Sequence, residues 1–169
     1  DSIYEWDGMK YLAEMQAMSW EENPSDSEKT AKAAVKYIKE KKPGYVGIIF
    51  AEPDYTGHGA GHDTPEYYAQ LKKLDNYIGE IIQAVEDAGM TDETIFVVTS
   101  DHGGINKGHG GITMEEMETP FIVSGKGIKK NHEIKQSMMQ FDVAATLASI
   151  FNVKQPAVWI GRPMDEIFE

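Results

Sequence analysis

Two short glycine-rich stretches hold most of the side chains in this sequence that could do chemistry: AEPDYTGHGAGH, residues 51–62, and TSDHGGINKGHGG, residues 99–111. They contain Asp54, His58, Asp101, His102 and His109, oxygen and imidazole donors of the kinds that hold a divalent metal. The surrounding glycines let the backbone turn sharply and approach a ligand closely. Asp54 and His58 are four residues apart, so a segment that curls brings both to one ion. Asp101 and His102 are adjacent, and in extended backbone their side chains diverge, which suits a pair of neighbouring ions better than a single one. His109 comes back after a glycine-flanked loop with a further imidazole. Such N and O donors fit zinc, or manganese and similar ions, in a catalytic rather than a structural site.

Each of these residues also has a plainer reading. An Asp-His pair after a strand is more often a turn and a cap than a pair of ligands, and a single loop histidine is usually just exposed. The presence of two such loops is what favours metal. Lys107 is a candidate for meeting a substrate anion, although a lone lysine in a glycine loop is usually solvated. His62 is close enough to line a cleft but is not counted as a ligand. His132, within KKNHEIK, reads as a solvated loop residue, and MEEMETP (114–120) as a solvated turn.

The elements that must position these loops can be read from periodicity. Residues 24–42 predict an amphipathic helix capped by Ser25, Asp26 or Ser27, with Ala33, Ala34, Tyr37 and Ile38 as its apolar stripe. YVGIIFAEPD predicts a buried strand running into a loop. Thr64 as cap, Pro65 in the first turn and Gly89 as stop frame a long helix whose face is Tyr67, Leu71, Leu74, Ile78, Ile81, Ile82 and Val85. TIFVVTSD is a second strand, TPFIVSGKGI a third, and residues 136–153 a last helix before a loop-rich tail. This alternation of nearly continuous apolar strands with helices predicts an α/β fold with a mostly parallel sheet covered by helices. The strands at 45–50 and 94–99 are expected to be parallel members of one sheet, joined by the helix from about Pro65 to Ala88. In such sheets ligands bind beyond the carboxyl ends of the strands, the edge at which both loops would leave.

Composition bounds the possibilities. A chain of 169 residues with 41% hydrophobic and 10% aromatic residues is the size of one ordinary domain with a real core. A formal net charge of −12 argues against nucleic-acid polymers and anionic membrane surfaces as partners. A local metal cluster can still attract an anionic substrate. The absence of cysteine excludes disulfides, zinc thiolates and thiol catalysis. No apolar run reaches the ~18 residues of a membrane-spanning helix. The opening DSIYEWDGMKYLAEM carries neither an initiator methionine nor a signal peptide, and reads as the interior of something longer.

AEPDYTGHGAG, LKKLDNYIGEIIQAV, TIFVVTSDHGG, GHGG, TPFIVSGKGI and FDVAATLASIFNV, in that order, resemble the alkaline phosphatase superfamily. The nearest branch is that of the type I phosphodiesterase/nucleotide pyrophosphatase-like proteins, and the likeness runs from about Gly44 to Phe168. It implies a three-layer α/β/α fold with a two-metal site, commonly zinc. Asp54, His58 and His109 would hold one ion, and Asp101 and His102 the other. The Thr or Ser nucleophile of the family has no counterpart here, and Trp6-Asp7-Gly8 is not the family's strand-end aspartate, because no apolar strand precedes it. The resemblance therefore implies that residues 1–169 are the C-terminal part of one catalytic domain incomplete at its N-terminus, with residues 1–23 from a mid-domain region or insertion. The spacing from Asp101 to His109 is shorter than in nucleotide pyrophosphatases, where the last histidine comes much later.

The function so implied is metal-dependent hydrolysis of phosphate esters, by a phosphodiesterase or phosphatase, with the isolated chain inactive. A sulfatase, a phosphomutase, or an inactive metal-binding or interaction remnant are the alternatives. The resemblance further implies a secreted or periplasmic protein. An incomplete sheet would leave an exposed edge or apolar face through which copies of the chain could pair.

Overall fold

The computed structural model describes residues 26–169, and the chain divides into two compact units. The first comprises the described residues through Met90 together with 104–111; the second comprises 91–103 and 112–169. The opening segment, with Trp6, Asp7 and Gly8, lies outside the described residues.

The first unit is helical. Helix α1 spans Ser27–Lys41. Of the three candidate caps, Asp26 does the work, its carboxylate accepting from the Lys29 N–H at 3.1 Å. Ala31, Ala34 and Ile38 form the buried stripe. Helix α2 spans Glu52–Ala60 and helix α3 spans Pro65–Asp87, and both α1 and α2 pack on α3. Thr64 caps α3 by accepting from Tyr67 N–H at 3.2 Å, and Gly89 ends the chain's turn beyond it at φ +71°. Leu74, Ile81, Ala84 and Val85 are buried, whereas Leu71 and Ile82, on the same expected face, are exposed.

Two expectations are corrected here. The segment 51–62, read as a loop, is largely the helix α2. Pro53 supplies a preset φ in its first turn, and Glu52 and Asp54 place negative charge at its N-terminus, so the end signals outweigh two interior glycines. Residues 45–50, read as a buried strand, form no strand, and Ile49 is 74% exposed. An apolar run records a tendency to extend, but a strand also needs a second backbone to take its N–H and C=O groups.

The second unit contains the two strands found among the described residues, β1 (Ile95–Thr99) and β2 (Phe121–Gly125). They pair antiparallel, Ile95 opposite Gly125 and Thr99 opposite Phe121. The described residues thus combine helices with one small antiparallel sheet, and the mostly parallel sheet expected from the sequence is not formed among them. The β1 partner is supplied by the chain returning through residues 100–120, a direction that hydrophobic patterning does not encode. A single helical turn, α4 (Met114–Met117), lies in that return where a turn was expected; Thr113 and Glu116 close a reciprocal cap at its start. Helix α5 is shorter than its apolar pattern, Asp142–Ile150, because the buried Asp142 carboxylate accepts from Met139 N–H and holds the preceding residues in a turn. The core is Ile128, Met164 and Ile167, packed with Ile95, Val123, Ile134, Met138 and Phe168. Among the described residues no helix is long and apolar enough to cross a membrane.

Candidate metal centre

Asp54 and His58 lie one helical turn apart on α2, so the helix itself aims both along one face. The segment 104–111 supplies His109. Three ligand-type atoms meet: His58 Nε2 and His109 Nε2 are 3.1 Å apart, Asp54 Oδ1 is 3.4 Å from the first and 3.3 Å from the second. Ligands at ~2.0–2.1 Å in a tetrahedral shell stand about 3.3–3.4 Å from one another, so the three atoms have the spacing of one face of a zinc tetrahedron. Asp54 Oδ1 is sealed from solvent.

The proton on His58 can be placed by its neighbours. Its Nδ1 lies 2.9 Å from the backbone oxygen of Lys107, and a carbonyl only accepts, so Nδ1 carries the hydrogen. In the neutral ring this leaves a lone pair on Nε2, 3.1 Å from His109 Nε2 and 3.4 Å from Asp54 Oδ1. A backbone carbonyl on the far nitrogen is also the arrangement that fixes the ring of a metal-bound histidine. The donor set and its spacing therefore fit a divalent ion.

Lys107 has a second tie. Its Nζ donates to Gly59 O at 2.7 Å, placing a cation on the last turn of α2, where the helix dipole favours one. The side chain considered for a substrate anion is thus engaged with the helix that bears Asp54 and His58. Tyr67, at the start of α3, lies close enough to Asp54 for charge to matter: burial first, then the Asp54 carboxylate, pushes its phenol above the ordinary range and keeps it protonated.

Asp101 and His102 belong to the second unit, just after β1. His102 Nδ1 is 2.8 Å from Gly103 O, which again puts the hydrogen on Nδ1 and the lone pair on Nε2. That Nε2 stands 3.6 Å from Asp101 Oδ2, with the Asp101 side chain 86% exposed. Adjacent in sequence, the two side chains nonetheless point towards one another rather than diverging.

His62, discounted from the sequence, is ordered by specific neighbours: its ring lies over Gly57 and Gly104 and against Tyr67, 5.2 Å between ring centroids. The available signal was the glycine at each of those positions. His132, read as solvated, pairs with Glu166 at 3.4 Å.

Over 132 residues the chain is 31% identical to GPI ethanolamine phosphate transferase 1 of Emericella nidulans, a match covering 64% of this chain and 14% of that protein. It is 27% identical over 113 residues to arylsulfatase K of Danio rerio, covering 59% of this chain and 22% of that one. Over 69 residues it is 32% identical to ectonucleotide pyrophosphatase/phosphodiesterase family member 7 of Rattus norvegicus, covering 41% and 16%. The chain thus spans well under a third of the length of these curated relatives. The family model for type I phosphodiesterase / nucleotide pyrophosphatase matches residues 6–133, most of the chain. By that match the chain belongs to the type I phosphodiesterase / nucleotide pyrophosphatase family, within the alkaline phosphatase superfamily.

Proposed function

We propose that this chain supplies the metal-binding part of an enzyme that hydrolyses phosphate esters. The observation that carries the reading is the trio of Asp54 Oδ1, His58 Nε2 and His109 Nε2, all within 3.4 Å of one another. Asp54, His58 and His109 would hold one divalent ion, zinc or manganese, and Asp101 and His102 would contribute to a second. Such ions supply charge that steadies the oxygens of a phosphoryl group and lowers the pKa of a hydroxyl or water that touches them. The chain's own residues do the positioning. Lys107 holds the His58 ring in the tautomer that presents Nε2, and its Nζ braces the end of α2. In this scheme no residue among the described ones takes the nucleophile's place.

Two matters favour neighbouring readings of the same site. The match to a GPI ethanolamine phosphate transferase supports transfer of a phosphate-bearing group in place of hydrolysis. The match to arylsulfatase K supports a sulfate ester as substrate, since a tetrahedral sulfuryl group can use the same ligands.

The test begins with Zn²⁺ and a competing chelator. Asp54→Ala and His58→Ala are each expected to weaken Zn²⁺ binding at least about 100-fold, because three protein ligands are reduced to two. Equal affinity in both variants and the parent sequence sinks the assignment. The chain by itself is expected to leave p-nitrophenyl phosphate, bis-p-nitrophenyl phosphate and p-nitrophenyl sulfate uncleaved above a Zn²⁺-only control. Joined in one protein to a hydroxyl nucleophile, it should support chelator-sensitive turnover that Asp54→Ala abolishes, and the ester preferred separates the phosphate and sulfate readings.

A further inference from the structure

We propose that His62 is a positioning residue for this centre, the wedge that sets the distance between the segment bearing Asp54 and His58 and the segment bearing His109. The inference rests on the metal reading given above. Gly57 lies on α2 directly before His58, and Gly104 opens the segment that leads to His109. The edge of the His62 ring occupies the space where a Cβ would stand at either glycine, and a methyl group at either position would overlap it. One imidazole is therefore clasped between the two backbones whose separation decides whether the three ligand atoms meet.

The ring is held in that slot from its other side. Its Nδ1 is 3.2 Å from Asn106 O, and the His62 backbone N–H donates to the same oxygen at 2.6 Å. Asn106 is at φ +52°, in the left-handed region that asparagine tolerates, within the tight turn in which Ile105 and Gly108 bond each other. His62 thus grips the turn by one carbonyl and spaces it by its ring. Tyr67 closes the remaining face. Because the carbonyl fixes the hydrogen on Nδ1 and the Nε2 edge is turned into the glycine slot, His62 is a spacer and not a ligand.

The test uses the full chain with Zn²⁺ alone as the probe. His62→Ala should weaken Zn²⁺ binding about 10–100-fold, the usual effect of removing a group that orients a ligand. Gly57→Ala should weaken it too, because the new methyl strikes the ring. In the His62→Ala background the same Gly57→Ala change should cost much less, since the ring is gone; this non-additivity separates a wedge from general destabilisation. In ¹⁵N spectra of the unsubstituted chain, Zn²⁺ should move the ring nitrogens of His58 and His109 while His62 keeps its Nδ1–H signature.

Zn²⁺ affinity within about twofold of the parent in folded His62→Ala, or equal Gly57→Ala costs in both backgrounds, overturns the proposal. So does a metal-type shift at His62. If His62→Ala does not fold, the spectra and Gly57→Ala alone decide: unaltered affinity in Gly57→Ala overturns it. Asp54→Ala keeps the two readings apart. Affinity lost with Asp54→Ala but unmoved by His62→Ala sinks the wedge alone, whereas affinity indifferent to Asp54→Ala sinks the metal site and the wedge with it.

Discussion

Glu166 is a residue whose work is done by one carboxylate. It accepts from Gln136 N–H at 2.7 Å and Lys135 N–H at 3.1 Å, and faces His132 at 3.4 Å. The Gln136 N–H, then that of Lys135, holds the carboxyl below the usual glutamate range, with a smaller contribution from His132. A group with a depressed folded pKa contributes stability that is complete above its unfolded value and disappears as pH falls through the folded one. Amide-exchange protection at Lys135 and Gln136 is therefore expected to hold at about pH 6 and to be lost at pH values below the usual ~4.3 of glutamate. Glu166→Gln should reduce that protection at the higher pH; protection unchanged from pH 6 to strongly acid conditions would refute the latch. None of this was legible at His132, because its partner stands 34 positions further along the chain, in the tail. Asp54, His58 and His109 stood out in the sequence, by contrast, since residue type and glycine context are local, whereas their convergence is a property of the fold. What fixes the tautomers of His58 and His102, the backbone oxygens of Lys107 and Gly103, leaves no trace in residue type.

Among the elements, α3 is the one most fully written in the sequence. Its cap, its first-turn proline and its terminal glycine are all short-range signals, and they place its ends within a residue of those observed. Thr64 does more than cap. Its hydroxyl accepts from Tyr67 N–H and donates to Gly61 O at 2.8 Å, so one side chain ties the end of α2 to the start of α3. Thr64→Ala is expected to lower stability by about 1 kcal/mol, read from the midpoint of urea unfolding at unchanged slope. A shift below a few tenths of that would show the tie to be idle. The failures at this scale have separate causes. Residues 45–50 carry strand-type side chains without a pairing backbone, and residues 52–60 fold as a helix despite glycines that usually argue against one.

At the scale of the whole chain, metal and stability are linked. An ion that binds only the folded form at 100 times its dissociation constant raises stability by ~2.7 kcal/mol. Zn²⁺ should therefore raise the thermal midpoint, a chelator should reverse the rise, and Asp54→Ala should abolish it. The variant is needed because a chain of net charge −12 collects cations diffusely, and that background is unaffected by loss of one carboxylate. An equal rise in Asp54→Ala would assign the effect to diffuse binding.

His58 and His109 are 51 positions apart, whereas Asp54 and His58 are neighbours on one turn. Bringing the distant imidazole home closes a long loop, an entropic cost of roughly 3.5 kcal/mol on chain-statistical scaling. The order of events during synthesis follows from that asymmetry. Asp54 and His58 are synthesised before His109, and α2, too short to persist by itself, can align them once α3, which also precedes His109, packs against it. An ion met at that moment finds two donors and an open coordination sphere, and the tight, three-ligand grip forms only once the chain has doubled back.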